Sequence, residues 1–171
     1  MKTLADTTST PIVARPSLEN SIWYGSALFS FLAAAEMSEG RYALLRWRMQ
    51  KGFTPPAPHR HGPEDFYIIR GRLHCWVADK GVVATDGDYI RTPPRRLAHL
   101  PGGVGREGFC GVPPALLTRW YGPRAGPAEA MELPAGRPDP PDPARLRALA
   151  PKYGAEFAPP GTRPEDMRTW P

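Results

Sequence analysis

The stretch 58-PHRHGPEDFYIIRG-71 decides how the chain is read. It holds two of the four histidines, one residue apart, followed by Glu64, Asp65 and a run of aromatic and β-branched residues that ends at Gly71. Proline-rich sequence before the histidines favours an extended backbone, and Phe66–Ile69 reads as a strand. In an extended chain residues i and i+2 share a face, so His59 and His61 point the same way. The same period of two groups Glu64, Phe66 and Ile68 on one face. Arg70 falls nominally on that face and, at the strand end, is expected to snorkel. Two imidazoles and a carboxylate that leave open coordination positions are the donor set of non-haem iron sites. A further ligand has to come from elsewhere, and His74 and His99 are the remaining histidines. His74 alternates against the apolar set of its own strand, whereas His99 follows a Gly-Asp turn, a strand and a proline break.

Outward from this stretch, short apolar runs are separated by turn signals: Ser38-Glu39-Gly40, Gly71, Asp79-Lys80-Gly81, Asp86-Gly87-Asp88 and Pro101-Gly102-Gly103. That spacing, without long helical periods, indicates an antiparallel sandwich or barrel. In 42-YALLRWRMQ-50, Ala43, Leu45, Trp47 and Met49 make an inward face against Arg46, Arg48 and Gln50. In 72-RLHCWVAD-79, Leu73, Cys75 and Val77 oppose Arg72, His74 and Trp76. Trp47, Met49, Phe66 and Ile68 are core residues that would also line any internal ligand pocket, because such pockets are mostly apolar. Beyond Pro123 the pattern changes. Asp142 before Pro143 is a helix start, Ala-Arg-Leu-Arg-Ala-Leu-Ala follows, and Pro151 and Gly154 end it. The expected organisation is a loose arm over residues 1–18, a β-barrel over 19–125, and a carboxy-terminal extension over 126–171 with a short helix and a proline-rich tail.

The chain of 171 residues is long enough for one domain with its own core. Its net charge of +5 comes from arginines scattered singly or in pairs, with no block that would mark a nucleic-acid surface. Two cysteines make no disulfide framework, and Cys75 in its strand reads as a small core residue. The run 27-ALFSFLAAA-35 is too short to cross a bilayer, and the first fifteen residues lack a secretory apolar stretch. A cytoplasmic protein that binds neither nucleic acid nor membrane is expected, and the amino-terminal arm and exposed strands would suit a homodimer.

These residues resemble the cupins. The first cupin motif, G-x5-H-x-H-x3,4-E-x6-G, is approached by Gly52, His59, His61, Glu64 and Gly71. The second, G-x5-P-x-G-x2-H-x3-N, is approached by Gly87, Pro93 and His99. The Glu64–Gly71 and Gly87–Pro93 spacings match. Gly52 lies one residue too far from His59, and Glu64 follows His61 after Gly62 and Pro63 alone. Arg95 replaces the second-motif glycine, His99 comes one residue late, and Gly103 stands in the asparagine position. Asp65 restores the family spacing from His61, so either carboxylate can be the one at the metal. The chain looks most similar to small single-domain quercetin 2,3-dioxygenase-like cupins, whose tail 141-PDPARLRALAPKYGAEF-157 also resembles.

The resemblance implies a jelly-roll β-barrel of two antiparallel sheets. It implies one divalent transition metal (Fe, Mn, Ni, Co, Cu or Zn) held by His59, His61, Glu64 and His99, with Glu64 as general base. The implied activity is that of a metal-dependent dioxygenase on a flavonol-like or otherwise enolisable aromatic small molecule. An isomerase, cyclase or decarboxylase of a secondary-metabolite pathway, or a non-catalytic small-molecule-binding cupin, are the alternatives.

Overall fold

A computed structural model describes residues 11–53, 58–77, 80–94, 98–99, 106–112, 126–133, 143–153 and 155–163. Twelve strands are present among them: β1 Ser21–Tyr24, β2 Ala27–Ala33, β3 Ala43–Met49, β4 His59–Arg60, β5 Glu64–Arg70, β6 Leu73–Val77, β7 Lys80–Ala84, β8 Tyr89–Thr92, β9 Ala98–His99, β10 Arg106–Val112, β11 Gly126–Pro127 and β12 Glu156–Phe157. They form a seven-stranded sheet in the order β11-β1-β2-β3-β10-β5-β8 and a five-stranded sheet in the order β12-β4-β9-β6-β7. Every described pairing is antiparallel. Among the described residues one α-helix, α1, spans Pro143–Leu149. Proline stands at its first position, where a missing N–H costs nothing. The proposed cap Asp142 lies outside the described residues.

The alternation expected for residues 42–50 is realised in β3, whose Ala43, Leu45, Trp47 and Met49 are buried while Leu44, Arg46 and Arg48 are half-buried. These inward side chains join Phe29, Phe66, Ile68, Leu73, Cys75, Ile90, Cys110 and Val112 in one core. Each large member contributes about 1.5–3 kcal/mol on leaving water. Turn chemistry matches the sequence signals. Gly71, with φ +103°, ends β5 in a conformation that side chains avoid, and its N–H donates to Asp86 Oδ1 at 2.8 Å. Asp88 Oδ2 in turn accepts from the Thr85 N–H at 2.7 Å.

The carboxy-terminal extension is woven into both sheets. β11 pairs with β1, and β12 pairs with β4. Trp23 Nε1 donates to the Glu132 carbonyl at 3.0 Å and Arg48 Nη2 to the Met131 carbonyl at 3.1 Å, so residues 126–133 are tied to the large sheet. Ala150, Ala155 and Phe157 belong to the core.

A register irregularity between Glu107 and Gly108 places Arg70 opposite Glu107. Arg70 therefore leaves the inward face that strict alternation assigned to it. Its side chain is 78% exposed and lies 3.4 Å from the Glu107 carboxylate, which Arg46 Nε also reaches at 2.8 Å.

Gly108 is the tightest point in the large sheet. It stands between Trp47 on β3 and Ile68 on β5. A Cβ there would lie 2.3 Å from the Tyr67 carbonyl oxygen and 2.6 Å from Trp47 Cζ2. A backbone carbonyl cannot turn aside as a flexible side chain can. Gly108→Ala is expected to destabilise the fold by about 2 kcal/mol or more. Gly111→Ala, whose Cβ would meet Asp65 Cβ at an ordinary 3.8 Å, is expected to stay close to wild type. Urea unfolding of the two variants side by side checks the contrast, and equal midpoints would refute it.

Candidate metal centre

The short strand β4 carries His59 and Arg60, with His61 next to it, and is bonded to β9 on one side and β12 on the other. The two imidazole rings share a side of the chain as alternation requires, with centroids 5.2 Å apart. The Phe157 ring of β12 sits 5.3 Å from the His59 ring and limits where that imidazole can turn. Pro58 accepts a backbone hydrogen bond from Ala158 at 2.9 Å, so the carboxy-terminal segment holds this strand from both ends.

Glu64 starts β5 on the inward face with Phe66 and Ile68. The Thr92 hydroxyl fixes its backbone, accepting from the Glu64 N–H at 3.2 Å and donating to the Glu64 carbonyl at 3.1 Å. The carboxylate lies inside, with Oε2 3.4 Å from His61 Nε2. Cys110, inward on β10, donates its thiol proton to Oε1 at 3.0 Å. Asp65, one residue on, faces outward, where the Tyr89 hydroxyl donates to its Oδ1 at 2.5 Å and Arg91 Nε lies 3.9 Å away. Of the two carboxylates, Glu64 is the one beside the histidine. Spacing from the H-x-H pair left both open, and strand parity separates them.

His61 Nδ1 lies 2.7 Å from the Gly62 carbonyl and donates to it. That bond directs Nε2 toward Glu64, which is how a ligating imidazole is oriented by its second nitrogen. Burial is the largest influence on His61 and pulls its pKa down. The hydrogen bond and charge of Glu64, with the Gly62 carbonyl, outweigh it and leave the pKa raised. For Glu64 burial is again the largest influence and pushes up, while His61, Cys110 and the charge of His59 bring the carboxyl below its ordinary value. Both thiols stay protonated. Burial and then the charge of Glu64 push Cys75 up to about 12 and raise Cys110 well above a free thiol.

The donor set suits a transition metal in chemistry. Two donors on one metal at bonds of about 2.1 Å sit about 3.0–3.4 Å apart for right-angle to tetrahedral geometry, and the His61–Glu64 separation of 3.4 Å falls in that range. Among the described residues, no three His, Cys, Asp or Glu side chains converge as a metal-holding group. The fourth expected ligand, His99, enters through its backbone: β9 pairs with β4 and places His99 opposite Trp76 of β6. Its side chain lies outside the described residues. His74, on β6, is half-buried.

A cavity of about 670 Å³ opens beside His61, lined by Arg60, Gly62, Pro94, Pro151, Ala155 and Glu156. Arg60 and Glu156 form an ion pair there, with Nη2–Oε2 at 2.6 Å. The candidate pocket residues Trp47, Met49, Phe66 and Ile68 are packed in the core. Sequence reasoning did not find Cys110, Phe157 or Glu156. The alternation of 106-REGFCGV-112, with Cys110 on the face of Val112, was the available signal for the first. The other two are brought in by long-range pairing that no local pattern announces.

Without metal, the His61–Glu64 pair has a defined pH window. The raised His61 pKa contributes stability fully below its ordinary value of 6.5, lost as pH rises through the folded value. The lowered Glu64 pKa contributes above its ordinary value of 4.5, lost as pH falls through the folded value. The thermal midpoint of metal-stripped wild type is therefore expected to exceed that of Glu64→Gln most between pH 4.5 and 6.5, with the gap narrowing on both sides. A gap that is flat across pH 3–9 would refute the ion pair.

Residues 45–107 match the family model for the cupin domain. No curated protein matches the chain. Among solved structures it is similar to an RmlC-like cupin from Shewanella frigidimarina NCIMB 400, at 18% identity over 61% of this chain and 92% of that one, with a TM-score of 0.51. It is also similar to a protein from Thermotoga maritima described as a predicted oxalate decarboxylase, at 19% identity over 60% and 98%, with a TM-score of 0.52. At such identities the likeness is one of fold. The matched segment runs from β3 to β10 and encloses the H-x-H stretch, Glu64 and β9, and the antiparallel β fold around it is of the cupin type.

Proposed function

We propose that this chain is a metal-dependent enzyme that removes a proton from an enolisable or phenolic small molecule. The observation that carries the reading is the Glu64 carboxylate, buried beside His61 at 3.4 Å and aimed by donors to its other oxygen and to its backbone carbonyl. His59, His61 and His99 supply imidazole nitrogens and Glu64 an oxygen, a set open to Fe, Mn, Ni, Co, Cu or Zn. A divalent ion held by them would polarise a substrate oxygen and lower the pKa of the group to be deprotonated.

Glu64 Oε2 takes the proton. It is held ionised at neutral pH, is largely buried, and is within reach of whatever stands next to His61. His59 is braced by Phe157 and His61 by the Gly62 carbonyl, so neither imidazole has to reorganise during the reaction. The cavity beside His61 gives a small molecule access, at a volume typical of ligand sites. Trp47 offers a second polar group inside the core. Its indole is 1% exposed, and Nε1 has no acceptor among the described residues, so a substrate oxygen there would satisfy a buried donor. We assign the first substrate class as flavonol-like aromatics cleaved with oxygen. Isomerisation, cyclisation or decarboxylation would use the same base without oxygen.

Protein purified without a histidine tag is expected to carry about one transition metal per chain by elemental mass spectrometry, lost in His59→Ala and His99→Ala. With metal restored, Glu64→Gln is expected to lower kcat by about 10²–10⁴-fold with a small change in KM. Oxygen uptake that tracks substrate loss supports the dioxygenase assignment, and turnover without uptake moves the reaction to the non-oxidative class. Metal-free protein after anaerobic reconstitution, or equal kcat in wild type and Glu64→Gln, overturns the enzyme reading.

A further inference from the structure

Glu64 has two carboxylate oxygens, and they are treated differently. Oε2 faces His61 at 3.4 Å, while Oε1 receives a hydrogen bond from Cys110 Sγ at 3.0 Å. Cys110 lies on β10, an interior strand of the large sheet. It stands opposite Leu45 of β3 and Phe66 of β5, two residues beyond Glu64 on the same inward face. It is therefore a diagonal neighbour of Glu64, at a separation that a long side chain and a thiol can bridge.

We propose that Cys110 is a positioning residue, whose thiol holds Oε1 and thereby presents Oε2 alone to the metal and the substrate. This rests on the reading that Glu64 works at the metal. The surroundings leave few other ways to hold that oxygen. Cys110 is 2% exposed, and its sheet neighbours Leu45 and Phe66 are apolar and buried. A carboxylate oxygen turned toward such walls without a donor carries the cost of a buried unsatisfied charge. The glutamate side chain would then rotate, and its second oxygen would leave the position beside His61. A thiol suits the task better than a stronger acid would. Its Sγ stands 3.0 Å from Oε1 between the apolar residues Leu45 and Phe66, so the carboxylate oxygen is the acceptor set against it. With Oε1 occupied, Glu64 engages a metal through one oxygen.

Three variants separate donor from volume. Cys110→Ser keeps a donor, Cys110→Ala removes it, and Cys110→Val fills the space without one. The probe is cobalt(II) titrated into metal-stripped protein, read by affinity and by the visible ligand-field spectrum, with circular dichroism reporting the fold. Alanine and valine are each expected to weaken cobalt binding by about 10–100-fold and to alter the spectrum, and serine to restore both to within about threefold. Valine binding as tightly as wild type, or serine losing as much as alanine, overturns the proposal.

A second readout needs no metal. The infrared S–H stretch moves to lower frequency when a thiol donates. In a Cys75→Ala background, which removes the other buried thiol, a lowered band is expected, absent when Cys110→Ser is added and returned toward the free position when Glu64→Leu is added. A Cys110 band already at the free position in that background overturns the proposal whatever cobalt does. A lowered band in a protein that binds no cobalt upholds the thiol–carboxylate contact and places the failure on the metal reading alone.

Discussion

The constraint on which the site depends is the burial of one negative charge. A carboxylate inside an apolar interior is tolerated only when its oxygens are met by donors or positive charge. Glu64 meets that requirement with His61 from the loop after β4 and Cys110 from β10, while the Thr92 hydroxyl of β8 fixes its backbone. Each of these is itself placed by strand pairing. β5 is bonded to both β8 and β10, so Thr92 and Cys110 are delivered to Glu64 by the same ladders that build the large sheet. The chemistry and the fold therefore share their supports. A residue that loosens the sheet near Gly108 also loosens the diagonal that carries the thiol.

Much of this was legible in the sequence because period-two alternation is a local property. Residues 42–50 announced an inward face of Ala43, Leu45, Trp47 and Met49, and β3 has it. Glu64 was grouped with Phe66 and Ile68 for the same reason, and that grouping decides its direction. Spacing from His61 pointed equally to Asp65. The downstream strand wins because six of the seven residues of β5, Glu64 to Ile68 and Arg70, are locked into pairs, whereas the Gly62-Pro63 turn adapts to them. Arg70 shows where alternation stops being reliable: one irregularity opposite Gly108 moves it to the outer face, and nothing in the residue types around it signals the slip.

What the sequence did not reveal is long-range by nature. Cys110 and Glu64 are 46 residues apart, and Arg60 and Glu156 are 96 apart. Cysteine in a strand reads as a small apolar residue, which Cys110 also is. Its donor role appears only when a carboxylate is set against it. The carboxy-terminal extension was read as a helix and tail because its composition is proline-rich and its strands are two residues each, too short to give a periodic signal.

Those short strands explain why the extension cannot be separated from the site. β4 is itself two residues long and pairs with β9 through a single described residue pair. A ladder so brief leaves its backbone groups and side chains poorly fixed unless something closes the other edge. β12 does so: Glu156 and Phe157 pair with Arg60 and His59, Ala158 bonds Pro58, and the Arg60–Glu156 ion pair adds a side-chain clamp. That clamp is half-exposed, so its own contribution is small. Its value is geometric, since two adjacent residues held at backbone and side chain have little freedom to twist. Phe157, buried beneath the same pairing, then presses on the His59 ring. The arrangement of the two imidazoles is thus set by chain nearly a hundred residues away, and the wall of the neighbouring cavity formed by Pro151, Ala155 and Glu156 comes from the same segment. One stretch of chain shapes both the ligands and the space in front of them.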